Sequence, residues 1–382
     1  MIKKNILILF LFFFANVVFS QTDTITKKEV ETKPDSLSKF DKFNKKAEAF
    51  FKVFPVPIYT HTPEAGNIFG LAKFNVLNLS KKDTISKPSK LSEVVSFSSN
   101  GRINASVATE LIFKENKRVV VAYINYQKQP DYIFGIGNDV KREDIEEIQL
   151  ERIKFFATYM FQVKKDFYVG FPIDLASYFN IKTEPDSFLV TDNITGVKGG
   201  TNVGSGLAAA YDTRDNRYNP QQGGYVIAYA LLHPKFLGST YQYSKYEIDM
   251  RKYFNPWLNH IIAVQATTSN TTGDTPFYEL SMLGSDTQMR GYYKGAYRDN
   301  VLVDSQIEYR APIWNIFGVT GWIGTGRVAN NYKDLSLNGW KLNYGAGLRI
   351  RVDTEHNTNL RIDYGFGPNG ISGVYFAFAE AF

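Results

Sequence analysis

The sequence predicts an all-β fold: a transmembrane antiparallel β-barrel of about sixteen strands. Three observations predict it. Apolar and polar residues alternate with a period of two along most of the chain, the alternating stretches run to about ten residues with aromatics on the apolar face, and the long connections fall on one side. A soluble sandwich shares the first feature, because it too buries one face of each strand. The second and third separate a barrel in lipid from it.

Composition agrees. Among 382 residues, 30 Phe, 24 Tyr and 4 Trp give an aromatic share of 15%, which suits strands whose amphipathic rings sit at a boundary. With 44% hydrophobic and 21% charged residues, the bulk is neither disordered nor a bundle of apolar membrane helices. The chain has no cysteine, which removes disulfide frameworks, thiolate metal centres and cysteine nucleophiles, and its four histidines leave little material for imidazole ligation. No metal or cofactor is expected. The net charge of +6 is spread without a long basic run, so no nucleic-acid partner is expected either.

Taken in order, residues 1–20 form a signal peptide pattern: Lys3 and Lys4, an apolar run from Ile6 to Val18 interrupted by Asn16, and the small Ser20 as a cleavage position. That run is shorter than the roughly 20 apolar residues of a spanning helix. Residues 21–51 are a periplasmic N-terminal linker, solvated up to about Lys46. Within it Phe40, Phe43, Ala47, Phe50 and Phe51 have roughly helical spacing, which fits a short amphipathic helix or a leader running into the first strand. Residues 52–382 are the barrel.

Strands are expected near 54–62, 67–79, 92–99, 103–113, 118–128, 148–163, 167–181, 203–214, 224–234, 241–254, 260–270, 301–310, 317–328, 340–352, 358–367 and 372–382. Strand twelve shows the pattern best: Val301, Val303, Ser305, Ile307, Tyr309 and Ala311 share one face, with Asp304, Gln306, Glu308 and Arg310 on the other. Strand fifteen sets Leu360, Ile362, Tyr364 and Phe366 against Arg361, Asp363 and Gly365. An even strand count with a periplasmic N-terminus puts every odd-to-even connection outside the cell. The long segments 129–147, 182–202 and 271–300 fall there, while Lys164-Lys165-Asp166 and Asp353–Asn357 are short periplasmic turns. The stretch 80–91 is the one longer periplasmic connection.

Closure of such a sheet depends on its first and last strands, since open edges in lipid leave a row of unpaired backbone groups. Pro55 and Pro57 each remove a ladder donor from strand one, which predicts a weak lateral seam. On strand sixteen Val374, Phe376, Phe378 and Phe382 share one parity, and Glu380 breaks it while remaining close enough to the interface to reach water. This aromatic end resembles the terminal-strand signal that barrel-assembly machinery recognises.

Two segments resemble the BamA/TamA superfamily of outer-membrane assembly and translocation barrels. Ala210-Tyr211-Asp212-Thr213-Arg214-Asp215-Asn216, with Asn219-Pro220 and Gly223-Gly224, resembles that family's strand, periplasmic turn and strand. Gly284-Ser285-Asp286, Met289-Arg290-Gly291-Tyr292 and Tyr297-Arg298-Asp299 resemble its sixth extracellular loop, whose Arg-Gly-aromatic tip folds back into the lumen. Ile307-Glu308-Tyr309-Arg310-Ala311-Pro312, Gly345-Ala346-Gly347-Leu348-Arg349 and Leu360-Arg361-Ile362-Asp363-Tyr364 are also similar, so the likeness extends over about residues 52–382. It implies an integral barrel of the bacterial outer membrane that assists insertion or translocation of proteins or lipids. Its partners would be outer-membrane lipid and unfolded client proteins or subunits of an envelope complex. The alternative is a plugged passive pore or a structural barrel subunit.

A guanidinium in a confined lumen needs carboxylates, and Glu308 and Asp363 face inward by parity, so Arg290 is expected to pair with one or both. Gly291 would allow close backbone approach and Tyr292 would pack on the wall. Where many relatives carry an Asp in strand thirteen this chain has Ile323-Gly324-Thr325-Gly326, which leaves the pairing to those two residues. Assembly factors of the family carry POTRA domains of roughly 75 residues each, and residues 21–51 are too few for one. No enzymatic constellation is expected. Gly204-Ser205-Gly206 lacks the nucleophile-elbow pattern, the glycines from Gly196 to Gly206 lead into a strand rather than a helix, and His61, His233, His260 and His356 fall near strand ends or turns as interfacial or solvated groups.

Overall fold

The computed structural model describes residues 53–62, 66–79, 85–141 and 145–382, together with helical positions at 42, 45, 46, 49 and 50. The signal segment, most of the linker, and Phe40, Phe43, Ala47 and Phe51 lie outside the described residues, as does the side chain of His61.

Sixteen strands form one antiparallel sheet in which each strand pairs with its neighbours in sequence. They are β1 (Val56–Thr62), β2 (Gly66–Leu77), β3 (Ser89–Ser98), β4 (Ile103–Ile112), β5 (Arg118–Ile133), β6 (Glu146–Lys164), β7 (Phe167–Lys182) and β8 (Gly200–Asp212). The second half comprises β9 (Gly223–His233), β10 (Tyr243–Trp257), β11 (His260–Gly273), β12 (Val301–Trp314), β13 (Phe317–Ala329), β14 (Lys341–Asp353), β15 (Thr358–Phe366) and β16 (Ser372–Phe378). Alternation assigns the faces. On β12, Ile307 and Tyr309 are exposed on the lipid side while Gln306, Glu308 and Arg310 are buried, and β7 likewise exposes Phe171, Ile173 and Leu175 while burying Asp174 and Ala176. Trp257, Trp314 and Phe317 stand outward at periplasmic turns, where their rings suit the interface.

Strands β5, β6 and β7 have 16, 19 and 16 residues, more than the roughly 9–11 that cross a bilayer. The excess projects on the extracellular side, and its inner face carries Ile133, Ile148, Leu150 and Tyr178. These pack with Leu189 of a one-turn helix, α1 (Phe188–Thr191), and with Phe277, Tyr278 and Leu280. Continuing alternation therefore lengthens the hairpin, and the connections shrink to 134–145 and 183–199. The segment 274–300 remains long.

Two expectations about the seam are corrected. Strand β1 begins at Val56, so Pro55 stands just outside it, while Pro57 lies within and faces Leu71 of β2. Strand β16 ends at Phe378, because Ala379 adopts φ +69° and turns the chain inward. Phe382 is consequently buried beside Tyr253 and Ala263 on the inside of the barrel, off the lipid face of the last strand. Glu380 does not reach water either. Its carboxylate is buried and accepts from Arg349 Nε at 2.7 Å and Asn359 Nδ2 at 2.7 Å.

Candidate functional site

Segment 274–300 enters the lumen from the extracellular end. A two-residue ladder, Ser281–Met282 against Arg298–Asp299, closes its base, and Leu283, Met289 and Tyr292 pack against Leu302 and Val328 of the wall. Ser285 caps the descending turn by accepting from the backbone N–H of Thr287 and Gln288.

At the tip, Arg290 is completely buried. Its Nη2 donates to Glu308 Oε2 at 2.5 Å and its Nη1 to Asp363 Oδ2 at 2.6 Å. The guanidinium lies 3.6 Å from the centre of the Trp322 ring, and Asn343 Nδ2 donates to the Arg290 carbonyl at 3.0 Å. Parity explains the rest of the charge. The sequences Glu308-Tyr309-Arg310 and Arg361-Ile362-Asp363 put opposite charges two residues apart on the inward face. Arg310 Nε accordingly donates to Glu308 at 2.7 Å, and Asp363 also accepts from Arg361 at 2.8 Å and from Arg349 at 2.6 Å. Asp286, on the strap itself, receives Arg361 at 3.2 Å. Four guanidiniums thus meet Glu308, Asp363, Glu380 and Asp286, so no charge of the network is left without an opposite partner.

Close approach depends on Gly291 and Gly365. Gly291 has φ +110°, and a Cβ there would lie 2.7 Å from Phe366 N, while one on Gly365 would lie 2.6 Å from Arg290 C. Gly291 N donates to Tyr375 Oη at 2.8 Å, and Tyr292 Oη donates to Leu342 O at 2.8 Å. Tyr293 reaches the opposite wall, where its hydroxyl bonds Asp131 of β5 and accepts from Tyr132 N at 3.2 Å. The strap therefore spans the lumen. Lys294 keeps contact with lumenal water inside a wall of protein, and burial first, then Arg152, Lys154 and Lys245, lower its amine to about 8.

Beside the strap lies a cavity of about 460 Å³ lined by Lys154, Lys245, Glu247, Arg251 and Glu279 among others. Lys154 Nζ is 3.3 Å from Glu279, and Lys245 Nζ is 2.8 Å from Glu247. His233 is a further correction: it is buried, stacked on Tyr243 with ring centres 4.1 Å apart, and 3.4 Å from Asp174. It is neither solvated nor interfacial, because Gly204 on β8 leaves the space that the imidazole fills. Ser205 turns away from it and donates to Pro172 O.

The remaining predicted residues lie at the sheet's two ends. Sixteen strands in line form fifteen ladders, from β1 to β16, and among the described residues no ladder joins β16 back to β1. Phe376 faces lipid beside that seam, Phe378 stacks across it on Phe74 of β2 with ring centres 5.2 Å apart, and Phe382 lies inside. Sequence reasoning missed Trp322, Arg310, Arg349 and Arg361 as members of the lumenal network. The inward parity of the three arginines was the available signal; the Trp322 ring that covers Arg290 had none.

The family model described as the Omp85 superfamily domain matches residues 84–382. Among solved structures, the chain is similar to BamA from Haemophilus ducreyi lacking POTRA domains 1–3, at 14% identity over 85% of this chain and 68% of that one, with a TM-score of 0.51. It is also similar to CdiB from Escherichia coli (10% identity, 96% of this chain and 73% of that one, TM-score 0.49) and CdiB from Acinetobacter baumannii (11%, 85% and 57%, 0.48). No curated protein matches the sequence.

Proposed function

The chain belongs to the Omp85 superfamily, an integral outer-membrane barrel, and on that premise we propose that it assists insertion or translocation of proteins, or of lipids, by opening laterally between β1 and β16. The observation that carries this reading is the missing ladder. Every other neighbouring pair of strands shares a ladder among the described residues, whereas an unpaired edge in lipid leaves backbone N–H and C=O groups able to pair with an incoming strand. Pro57 weakens the edge of β1 further, since it has no N–H to donate. The strap's part would be to hold β12 to β15 rigid through Arg290, Glu308 and Asp363, so that movement concentrates at the seam.

Surrounding outer-membrane lipid and unfolded outer-membrane proteins are the proposed partners, reached after cleavage near Ser20. Such a role requires no bond-making chemistry. Paired cysteines placed across β1 and β16 test it: locked cells should show depleted outer-membrane proteins that recover on reduction, and unchanged levels and growth would discard lateral opening. A plugged pore is the second reading, favoured by the strap's course through the lumen. Planar-bilayer recording separates the two, because steady conductance that rises in Arg290→Ala belongs to the pore and not to the insertion role.

A further inference from the structure

We propose that the periplasmic turn 213–222 is a strut that crosses the barrel floor and holds the seam shut, with Tyr218 as its latch. The inference rests on the seam reading above and adds how the seam is kept closed.

The turn joins the eighth and ninth of sixteen strands, so it starts from the wall opposite the seam. It is built to reach. Asp215 Oδ1 accepts from the backbone N–H of Asn216 at 2.8 Å and of Gln221 at 3.0 Å, and Asn216 Oδ1 accepts from Tyr218 N at 2.7 Å and Asn219 N at 3.1 Å. Asp212 binds Arg214 through Nε at 2.9 Å and Nη2 at 3.0 Å, and Arg217 Nη2 approaches the same carboxylate at 3.0 Å. A turn whose polar side chains are bonded within itself is stiff and carries its tip as one body.

That tip touches both sides of the seam. On the β1 side, Tyr218 Oη donates to Pro88 O at 2.7 Å, and its ring meets Phe74 of β2 edge-on with centres 6.0 Å apart. On the β16 side, Tyr218 O accepts from Glu380 N at 2.8 Å, and Phe378 stacks on Phe74. Neighbouring residues widen the grip: Arg217 pairs with Glu110 of β4, Lys87 Nζ donates to Arg214 O at 2.5 Å, and Asn216 Nδ2 donates to His356 O at 2.9 Å in the β14–β15 turn. Where the sheet has no ladder among the described residues, the strut joins its two edges, by the Tyr218 side chain on one side and its backbone carbonyl on the other. Tyr218 is 2% exposed, so its hydroxyl has no water to replace Pro88 O, and withdrawing it requires the turn to swing down into the periplasm.

The test uses the full chain in lipid nanodiscs, with nitroxides on cysteines replacing the lipid-facing Tyr59 of β1 and Phe376 of β16; the sequence has no other cysteine. Dipolar broadening between the labels reports seam separation without any client. Tyr218→Phe, which removes one hydrogen bond and keeps the ring, should raise the separated population about fivefold. Tyr218→Ala should raise it further, and Leu337→Ala on the extracellular side should leave it unchanged. Heat-modifiable migration on gels checks that each barrel is folded, and if Tyr218→Ala fails that check, Tyr218→Phe alone decides. Folded Tyr218→Phe with the native broadening would overturn the latch. A responsive seam in a barrel whose cross-linking leaves outer-membrane proteins intact would keep the latch and discard the insertion role. An unresponsive seam that cells nevertheless need to open would do the reverse.

Discussion

Arg290 shows how a single charged residue can hold a long segment. It joins Glu308 on β12 to Asp363 on β15 while the Trp322 face covers it, so the strap cannot leave without breaking two charge-assisted bonds. Breaking a buried pair typically costs about 3 to 5 kcal/mol, mostly through the charge left stranded. Here Glu308 retains Arg310, and Asp363 retains Arg349 and Arg361, so Arg290→Ala should fall near the low end, about 3 kcal/mol. Urea unfolding in detergent followed by tryptophan emission measures it; a loss below about 1 kcal/mol would mean the strap is held by packing alone. Lys294 supplies a second check. Its amine is lowered from 10.5 to about 8, so between those values the unfolded chain binds a proton that the folded barrel does not. Stability should therefore rise with pH through that window, and Lys294→Gln should remove the rise. A methylated-lysine NMR titration of Lys294 with its midpoint near 10.5 would contradict the lumenal environment described.

At the scale of elements, the last strand teaches the most. Read as a row of alternating aromatics, Phe376, Phe378 and Phe382 belong to one lipid face and Glu380 is a blemish. In the fold Ala379 turns the chain inward, so the parity ends at Phe378 and the blemish becomes a buried carboxylate on Arg349. The two readings differ in magnitude. Glu380→Gln should destabilise the barrel by about 1 to 3 kcal/mol if the carboxylate is buried and paired, against under about 0.5 kcal/mol for a surface group. Thermal unfolding in micelles distinguishes them. The strands themselves were legible where they cross the membrane, because there each has lipid on one side and the lumen on the other, so period two is enforced. The inward turn at Ala379 was not, since it depends on arginines from β12 and β14 that converge only once the sheet has curled.

For the whole molecule, the sequence carried the strand number and the faces, both of which follow from local alternation. The lumenal carboxylates Glu308 and Asp363 were legible for the same reason. What it withheld are contacts across the lumen: Tyr293 on Asp131 and Tyr218 beneath the seam join residues that no periodicity relates. The barrel is thus bridged above by the strap and below by the strut, and we place its weakest line between β1 and β16, the one pair of facing edges without a ladder among the described residues. Hydrogen exchange of the full chain in nanodiscs tests that claim most directly. Amides of β1 and β16 should exchange orders of magnitude faster than those of β6, whose two edges are both laddered. Protection of β1 and β16 equal to that of β6 would show a closed ladder at the seam and contradict the account.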